Sequence, residues 1–191
     1  MIVLFVLHLW SIFSARHIVA LNPVQPKDGI MLPAVLWNDT SCLALMPAKA
    51  KKKFKSISYG PYKSDLCRLY VMYKYGGVYT DNDIWLLKRP QAPPTHLLIR
   101  ESPKFKLEGM RTYVMNAFMV SPAREPLFLR AIDIMLESDE NDSQLSELWG
   151  PWALHMANTA NFTIVNEKCP TWSPCNCGVP GLFKSHDPCR Y

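Results

Sequence analysis

Residues 60–90, GPYKSDLCRLYVMYKYGGVYTDNDIWLLKRP, are the most informative part of the chain. Apolar and aromatic residues recur at helical spacing after Ser64, whose hydroxyl suits an N-cap. The pattern predicts a helix of about twelve residues that ends at the Gly76–Gly77 pair, where glycine permits a left-handed stop. The run Val78–Leu87 is rich in β-branched and aromatic residues, which favours a strand. The stretch therefore predicts a helix, a glycine turn and a strand.

Four charged residues of this stretch carry its chemistry. Positions i and i+2 of a strand share a face, so Asp81 and Asp83 are predicted to point together. On the preceding helix, Asp65 and Arg68 are predicted to lie on one side near the N-terminal end. Carboxylate oxygens are hard ligands for Mg²⁺ or Mn²⁺, ions that also accept phosphate oxygens. The pattern indicates a metal-held diphosphate, with a turn and a surface ion pair as the alternative interpretation.

The string SDLCRLYVMYKYGGVYTDNDI, residues 64–84, closely resembles the signature of the DXD glycosyltransferases. This sugar-binding-region family includes fungal initiating α-1,6-mannosyltransferases and animal α-1,4-galactosyltransferases, and the spacing also resembles that of the clostridial glucosylating toxins. The resemblance implies a metal-dependent enzyme that moves a hexose from a UDP- or GDP-sugar to a hydroxyl of a glycan, glycolipid or glycoprotein. It also implies retention of the anomeric configuration.

The resemblance implies roles for individual residues. Asp83 would bind Mn²⁺ or Mg²⁺ directly, Asp81 would bridge the ribose, the sugar and a metal-bound water, and Asp65 and Arg68 would contact the donor sugar. A third metal contact is expected from the tail, where His186 and Asp187 are the candidates; the alternative is that both are ordinary surface residues. The implied catalytic residues are Asp81, Asp83 and Arg68; the implied donor-binding residues are Asp65, Arg68, Tyr79, Trp37 and Asn116.

Three further segments resemble parts of the family more weakly. Residues 34–39 are similar to its second strand, residues 116–120 to the strand after the acceptor loop, and residues 150–152 to a helix that begins at Gly-Pro. For Trp37, core packing is the alternative to stacking on the nucleotide base. For Asn116, a structural hydrogen bond is the alternative to a substrate contact.

The predicted elements alternate along the chain, which favours a single α/β domain. Further strands are expected at 34–37 and 116–120, and a helix at 125–137 with Pro126 in its first turn. The resemblance implies a GT-A-like, Rossmann-type α/β/α sandwich with a mostly parallel central sheet. The catalytic domain is assigned to residues 21–165, with a Cys-rich tail, 166–191, packed on it. Ligands are expected at the carboxyl ends of the strands.

The N-terminal segment, residues 1–20, has two interpretations. Residues 1–15 are almost continuously apolar and precede Arg16, a pattern that favours a signal peptide or short signal anchor and hence membrane association. The run is short for a bilayer span. Alternatively, residues 2–10 form the first buried strand of the domain.

The six cysteines bear on the cellular compartment. Four of them crowd the tail, which favours disulfides there over a zinc site that includes His186. Cys42 and Cys67 are interpreted as buried thiols. Sequons at Asn38, Asn141 and Asn161 also favour a secretory route, in the Golgi or the endoplasmic reticulum.

Five lysines, at positions 49, 51, 52, 53 and 55, contribute much of the net charge of +5. A basic surface favours approach of an anionic nucleotide-sugar or a membrane, with a solvated face as the alternative. No zinc-finger spacing, RNP-type string or phosphate loop accompanies it, so nucleic acid is not an expected partner. The long polar stretch 90–113 is either the acceptor side or a plain exposed loop.

Two other functions fit the DXD pattern. A non-catalytic sugar- or nucleotide-binding pseudoenzyme is suggested by the short chain. A DXD phosphotransferase is less favoured, because Gly76–Gly77 precedes the acidic pair where an apolar strand would be expected.

Overall fold

The computed structural model describes residues 4–7, 34–81, 84–86, 96–100, 114–139, 149–157, 162–166, 178–179 and 183–185. The helices are α1 (Asp39–Leu45), α2 (Ala48–Ser56), α3 (Gly60–Tyr75), α4 (Pro126–Glu137) and α5 (Trp149–Met156). The strands are β1 (Leu4–Leu7), β2 (Ala34–Leu36), β3 (Gly77–Asp81), β4 (Ile84–Leu86), β5 (Leu97–Arg100), β6 (Val114–Ser121), β7 (Thr163–Asn166), β8 (Gly178–Val179) and β9 (Phe183–Ser185).

Six strands form one sheet in the order β2-β1-β3-β6-β5-β7, and β4, β9 and β8 form a second sheet. In the large sheet β1 is parallel to β2 and β3, and β5 is parallel to β7. Strand β6 is antiparallel to both of its neighbours, β3 and β5. The α/β class is therefore confirmed, but the prediction of a mostly parallel sheet is not, because the central strand β6 runs against the others and makes the sheet mixed.

The N-terminal strand lies inside the large sheet. Leu4 pairs with Ala34 on one side and Val78 on the other, so β1 separates β2 from β3. This strand falls within residues 2–10, the segment for which a first strand was one of two interpretations. Within the described residues, no helix is long and apolar enough to cross a membrane.

Helix α3 begins earlier than predicted. It starts at Gly60 after the extended N-cap Tyr59, and Pro61 occupies its first turn, where a missing N–H is harmless. Ser64 is therefore not the N-cap, which corrects the prediction. As a consequence Asp65 and Arg68 lie in the middle of the helix and not near its N-terminal end.

The predicted glycine stop is confirmed. Gly76 has φ +59°, and its N–H donates to the carbonyl of Met72. A Cβ on Gly76 would lie 2.3 Å from the backbone nitrogen of Ala123. Since both the backbone angle and this close approach exclude a side chain, the chain needs glycine where it turns from α3 into β3.

The run predicted as one strand, residues 78–87, is two strands in two different sheets. Strand β3 ends at Asp81 in the large sheet, and β4 pairs antiparallel with β9. The composition correctly indicated extended backbone, but β-propensity is the same for any sheet and does not show where a strand changes partners.

Other elements agree with the sequence or add to it. Strands β2 and β6 and helix α4, with Glu125 as N-cap, lie where they were predicted, and α5 begins one residue before Gly150. Strand β5 lies inside the stretch 90–113, which was interpreted as a loop. The five lysines lie on α2, whose buried residues are Ala50 and Phe54.

A disulfide joins Cys42 on α1 to Cys67 on α3, at a sequence separation of 25. The interpretation of these cysteines as thiols is therefore wrong. Both side chains are buried in the core beside the apolar face of α3. The bond ties α1 to the helix that carries Asp65 and Arg68.

Several predicted residues lie outside the described part of the chain. These are Asp83, His186, Asp187, the tail cysteines Cys169, Cys175, Cys177 and Cys189, and the sequon residues Asn141 and Asn161. Predictions that involve them stay predictions.

Candidate functional site

Asp81 is the last residue of β3 and reaches the carboxyl edge shared by β3 and its parallel neighbour β1. Its side chain is 19% exposed. Oδ1 of Asp81 accepts a hydrogen bond from the Tyr79 hydroxyl. Nη1 of Arg68 lies 3.1 Å from the same oxygen. Asp81 is thus held from within the fold while part of its carboxylate stays accessible at the edge of the sheet.

Arg68 is the centre of a buried network, which we call the Arg68 network: Ser64, Asp65, Arg68, Asp81 and Asn116. The Arg68 side chain is 2% exposed. Its Nη1 donates to the backbone carbonyl and the side-chain Oδ1 of Asn116, both at 3.1 Å. Nη2 donates to Ser64 Oγ at 2.9 Å, and Nε donates to the Ser64 carbonyl at 3.4 Å.

Asp65 is held on both of its oxygens. Oδ1 accepts from Asn116 Nδ2 at 2.7 Å and lies 3.4 Å from Arg68 Nη2. Oδ2 accepts from the backbone N–H of Gly150 at 3.1 Å. Asn116 therefore bridges the two charged groups of α3, with its oxygen toward Arg68 and its amide nitrogen toward Asp65.

Gly150, in the first turn of α5, closes the network on one side. A Cβ there would lie 2.4 Å from Asn116 Nδ2 and 2.5 Å from Asp65 Cγ. No atom larger than hydrogen fits between α5 and these two side chains. The sequence showed the Gly-Pro pair only as a helix start, and the contact with Asp65, 85 residues away, gave no sequence signal.

Burial and charge act against each other in this network. Burial by itself would lower the pKa of Arg68. The electrostatic effects of Asp81, and then of Tyr79 and Asp65, are together larger and raise this pKa, so the guanidinium is always charged. Burial raises the pKa of Asp65, against the opposing effects of Arg68, Asn116 and Gly150. Burial also raises the pKa of Asp81, with Arg68 as the main opposing group.

The two predicted donor-binding aromatics differ in their surroundings. Tyr79 is fully buried, and the guanidinium of Arg68 lies 5.0 Å from the centre of its ring. Burial raises the pKa of the Tyr79 hydroxyl well above its ordinary value, so it stays a proton donor to Asp81. Trp37 belongs to the core cluster, with its ring 5.6 Å from that of Tyr75.

The chemistry of the acidic residues suits a hard cation. Asp81 offers a carboxylate at the sheet edge, and Asp83 follows two residues later. Among the described residues, no group of three or more His, Cys, Asp and Glu side chains converges on one point. A cation held by one or two carboxylates ordinarily completes its shell with water and phosphate oxygens, so this acidic pair fits Mg²⁺ or Mn²⁺ together with a diphosphate.

Part of the chain that includes Asp81 and Asp83 matches a known protein family. Residues 32–102 match the family model described as "Glycosyltransferase sugar-binding region containing DXD motif". These residues are a DXD glycosyltransferase sugar-binding region. The resemblance stated from the sequence is confirmed, and the match includes β2, the Arg68 network except Asn116, and both acids of the motif.

A solved structure is also similar to the chain. The solved structure of the PaToxG glycosyltransferase superposes on the chain with a TM-score of 0.48 at 15% identity. The alignment covers 65% of this chain and 46% of that one, so this chain spans about half the length of PaToxG. No curated protein matches the chain at a significant level.

Proposed function

We propose that the chain is a metal-dependent glycosyltransferase that moves a hexose from a UDP- or GDP-sugar to a hydroxyl of a glycan or glycoconjugate, with retention of configuration. One observation carries the proposal. Asp81, the first acid of the DXD motif, lies partly exposed at the carboxyl edge of parallel strands β1 and β3, inside the segment that matches the sugar-binding region. Ligands of α/β sheets bind at such edges.

Asp81 and Asp83 would hold Mn²⁺ or Mg²⁺. When bound, the ion would supply positive charge to the leaving diphosphate. Arg68 and Tyr79 support this role because they fix the Asp81 carboxylate before any ligand arrives, which lowers the reorganisation needed on binding. The protein would position the acceptor hydroxyl at the anomeric carbon of the donor. The polar residues on either side of β5 in the stretch 90–113 are the proposed acceptor side.

The order of β2, β1 and β3, all parallel, followed by the antiparallel β6, supports a GT-A-like arrangement. The Cys42–Cys67 disulfide supports folding in an oxidising compartment, because disulfides are rare in reduced ones. We therefore propose that the protein acts in the secretory pathway, in the lumen or at the membrane of the endoplasmic reticulum or Golgi.

Calorimetric titration with UDP and GDP, with and without Mn²⁺, tests the proposal. The expected result is nucleotide binding that requires Mn²⁺ and is lost in Asp83→Ala. Asn82→Ala is the matched control, since it lies between the two acids and removes no carboxylate; it should keep Mn²⁺-dependent binding. Well-folded protein that binds neither nucleotide in the presence of Mn²⁺ would contradict the proposal.

A further inference from the structure

Four lysines of α2 form an outward-facing basic surface. Ala50 and Phe54 are the buried residues of this helix. Lys53 also anchors it, because its Nζ donates to the carbonyl of Ser138 at 3.0 Å and lies 5.4 Å from the centre of the Trp149 ring. These contacts hold the remaining surface of the helix toward solvent. The exposed lysines there, which we call the α2 lysine face, are Lys49, Lys51, Lys52 and Lys55.

The charge of the α2 lysine face is not balanced within the described residues, where none of its four lysines makes an ion pair. Helix α2 contains no acidic residue, and like charges four positions apart, such as Lys51 and Lys55, destabilise a helix. Glu137 and Asp139 lie on either side of the carbonyl group that Lys53 binds. Lys53 is about 160° around the helix from Lys51, so these acids lie on the other flank of α2. A bound anion would relieve the repulsion.

The α2 lysine face lies at the same end of the large sheet as Asp81. Helix α3 runs back along β3 after the turn at Gly76, and Arg68 is level with Asp81, since its Nη1 lies 3.1 Å from that carboxylate. The part of α3 before Arg68 therefore extends beyond the carboxyl edge, by about 12 Å at Gly60 for a rise of 1.5 Å per residue. Only residues 57–59 separate α2 from this projecting end.

An exposed aromatic side chain lies next to the lysines. Tyr59, the N-cap residue of α3, is 54% exposed. Its ring packs edge-on against Tyr62 with 4.9 Å between centres, and Tyr62 packs edge-on against Trp149 at 5.3 Å. Tyr59 follows Lys55 by four residues, so the two are within about 14 Å of each other along the chain. A supported but exposed ring offers an apolar contact to a ligand whose other groups are polar, such as a sugar.

We propose that the α2 lysine face and Tyr59 bind an anionic glycan, a sugar chain that carries phosphate, sulfate or carboxylate groups. The ammonium groups match the anionic groups, and the ring of Tyr59 matches the C–H face of a sugar beside them. In the proposed function this glycan is the acceptor, held here by a part remote from the reacting hydroxyl. The acceptor role rests on the proposed function, whereas binding of the glycan does not.

An anionic membrane matches this surface less well. Helices that lie on membranes carry large apolar residues that enter the bilayer interface. Phe54 is the only large apolar residue of α2, and it is buried in the core. The proposed secretory location also disfavours a membrane, because anionic lipids are concentrated in the cytoplasmic leaflet.

Calorimetric titration with maltohexaose, with sulfated maltohexaose and with vesicles that contain phosphatidylserine tests the proposal. We expect the sulfated probe to bind, more weakly as salt is raised, and the neutral probe and the vesicles to bind far less. The double variant Lys51→Ala, Lys55→Ala should bind the sulfated probe about three to ten times more weakly, from the loss of two exposed charge contacts. Tyr59→Ala should weaken binding about threefold. Tyr59 provides no side-chain cap, so this change leaves the start of α3 intact.

The matched control is the double variant Lys74→Ala, Arg124→Ala. It also removes two exposed positive charges, but at the other end of α3, where the Arg124 N–H donates to the carbonyl of Tyr73. This control should bind the sulfated probe as tightly as wild type. Equal losses in the two double variants would show unspecific attraction between net charges and would overturn the proposal. Wild-type protein that ignores the sulfated probe, or that binds the vesicles more tightly, would also overturn it.

Mn²⁺-dependent binding of UDP or GDP, measured on the same protein samples, reports the proposed function separately. Nucleotide binding without binding of the sulfated probe would overturn the glycan site alone. Binding of the sulfated probe without nucleotide binding would support the glycan site and would overturn its role in holding an acceptor.

Discussion

Replacement of Gly150 by alanine is a sharp test of how tightly α5 closes on the Arg68 network. The new Cβ would lie 2.4 Å from Asn116 Nδ2, 2.5 Å from Asp65 Cγ and 2.6 Å from Asp65 Oδ2. These distances are about 1 Å inside ordinary contact. All three residues are buried, so relief requires α5 to move away and the bond from the Gly150 N–H to Asp65 to lengthen from 3.1 Å.

The expected loss of stability has three parts. Overpacking of a buried site costs about 1–3 kcal/mol. Loss of a hydrogen bond to a charged group adds about 1.5–3 kcal/mol. The better helix propensity of alanine opposes them by about 0.5–1 kcal/mol. Since the first two effects share one displacement and do not add fully, we expect Gly150→Ala to lower the free energy of unfolding by about 2–4 kcal/mol.

Denaturant unfolding of wild type, Gly150→Ala, Asp65→Ala and the double variant measures this effect. In the Asp65→Ala background the added methyl meets a smaller neighbour and the hydrogen bond is already absent, so the effect of Gly150→Ala should fall by at least half. A Gly150→Ala protein as stable as wild type, or an effect unchanged in the Asp65→Ala background, would refute the close packing of α5 on Asp65.

Three further predictions concern helix α3. The double variant Cys42→Ala, Cys67→Ala should lower the free energy of unfolding by about 3–4 kcal/mol, because the unfolded chain is no longer constrained by a loop closed at a sequence separation of 25. Unfolding midpoints measured with and without reductant check this. A wild-type midpoint that does not change on full reduction would contradict it. Arg68→Met should destabilise by about 3–5 kcal/mol, because it leaves the buried Asp65 and the partly buried Asp81 without their cation; a midpoint within error of wild type would contradict this. Burial, and to a lesser extent Asp133, raises the pKa of Tyr70 to about 12. The folded state therefore holds the Tyr70 proton more tightly than the unfolded state, and the free energy of unfolding should fall as pH rises from about 10 to 12. Tyr70→Phe should lose less stability than wild type over that range, and equal losses would count against the raised pKa.

Local patterns predicted much of the fold. Gly76 correctly indicated the end of α3, because residues with a side chain rarely adopt its positive φ, and Pro126 correctly indicated the first turn of α4. The start of α3 was missed because the hydroxyl of Ser64 suits an N-cap, whereas in the fold it accepts from Arg68. Helix periodicity placed Asp65 and Arg68 together but gave no information on their depth.

Long-range pairings account for the rest. The direction of β6 depends on which strands it joins, and the hydrogen bond from Gly150 to Asp65 joins residues 85 apart. The disulfide between Cys42 and Cys67 likewise depends on α1 packing against α3, a contact that composition does not encode. The sequence identified the acidic residues of the site, whereas the structure shows which of them faces outward.

Donor turnover tests the central proposal most directly. Purified protein is incubated with Mn²⁺ and a panel of UDP- and GDP-hexoses, and release of free nucleoside diphosphate is measured with and without glycan acceptors. We predict Mn²⁺-dependent release from at least one donor, abolished in Asp83→Ala and retained in Asn82→Ala. Nucleotide binding without release from any donor would contradict the enzymatic proposal and favour a sugar- or nucleotide-binding pseudoenzyme.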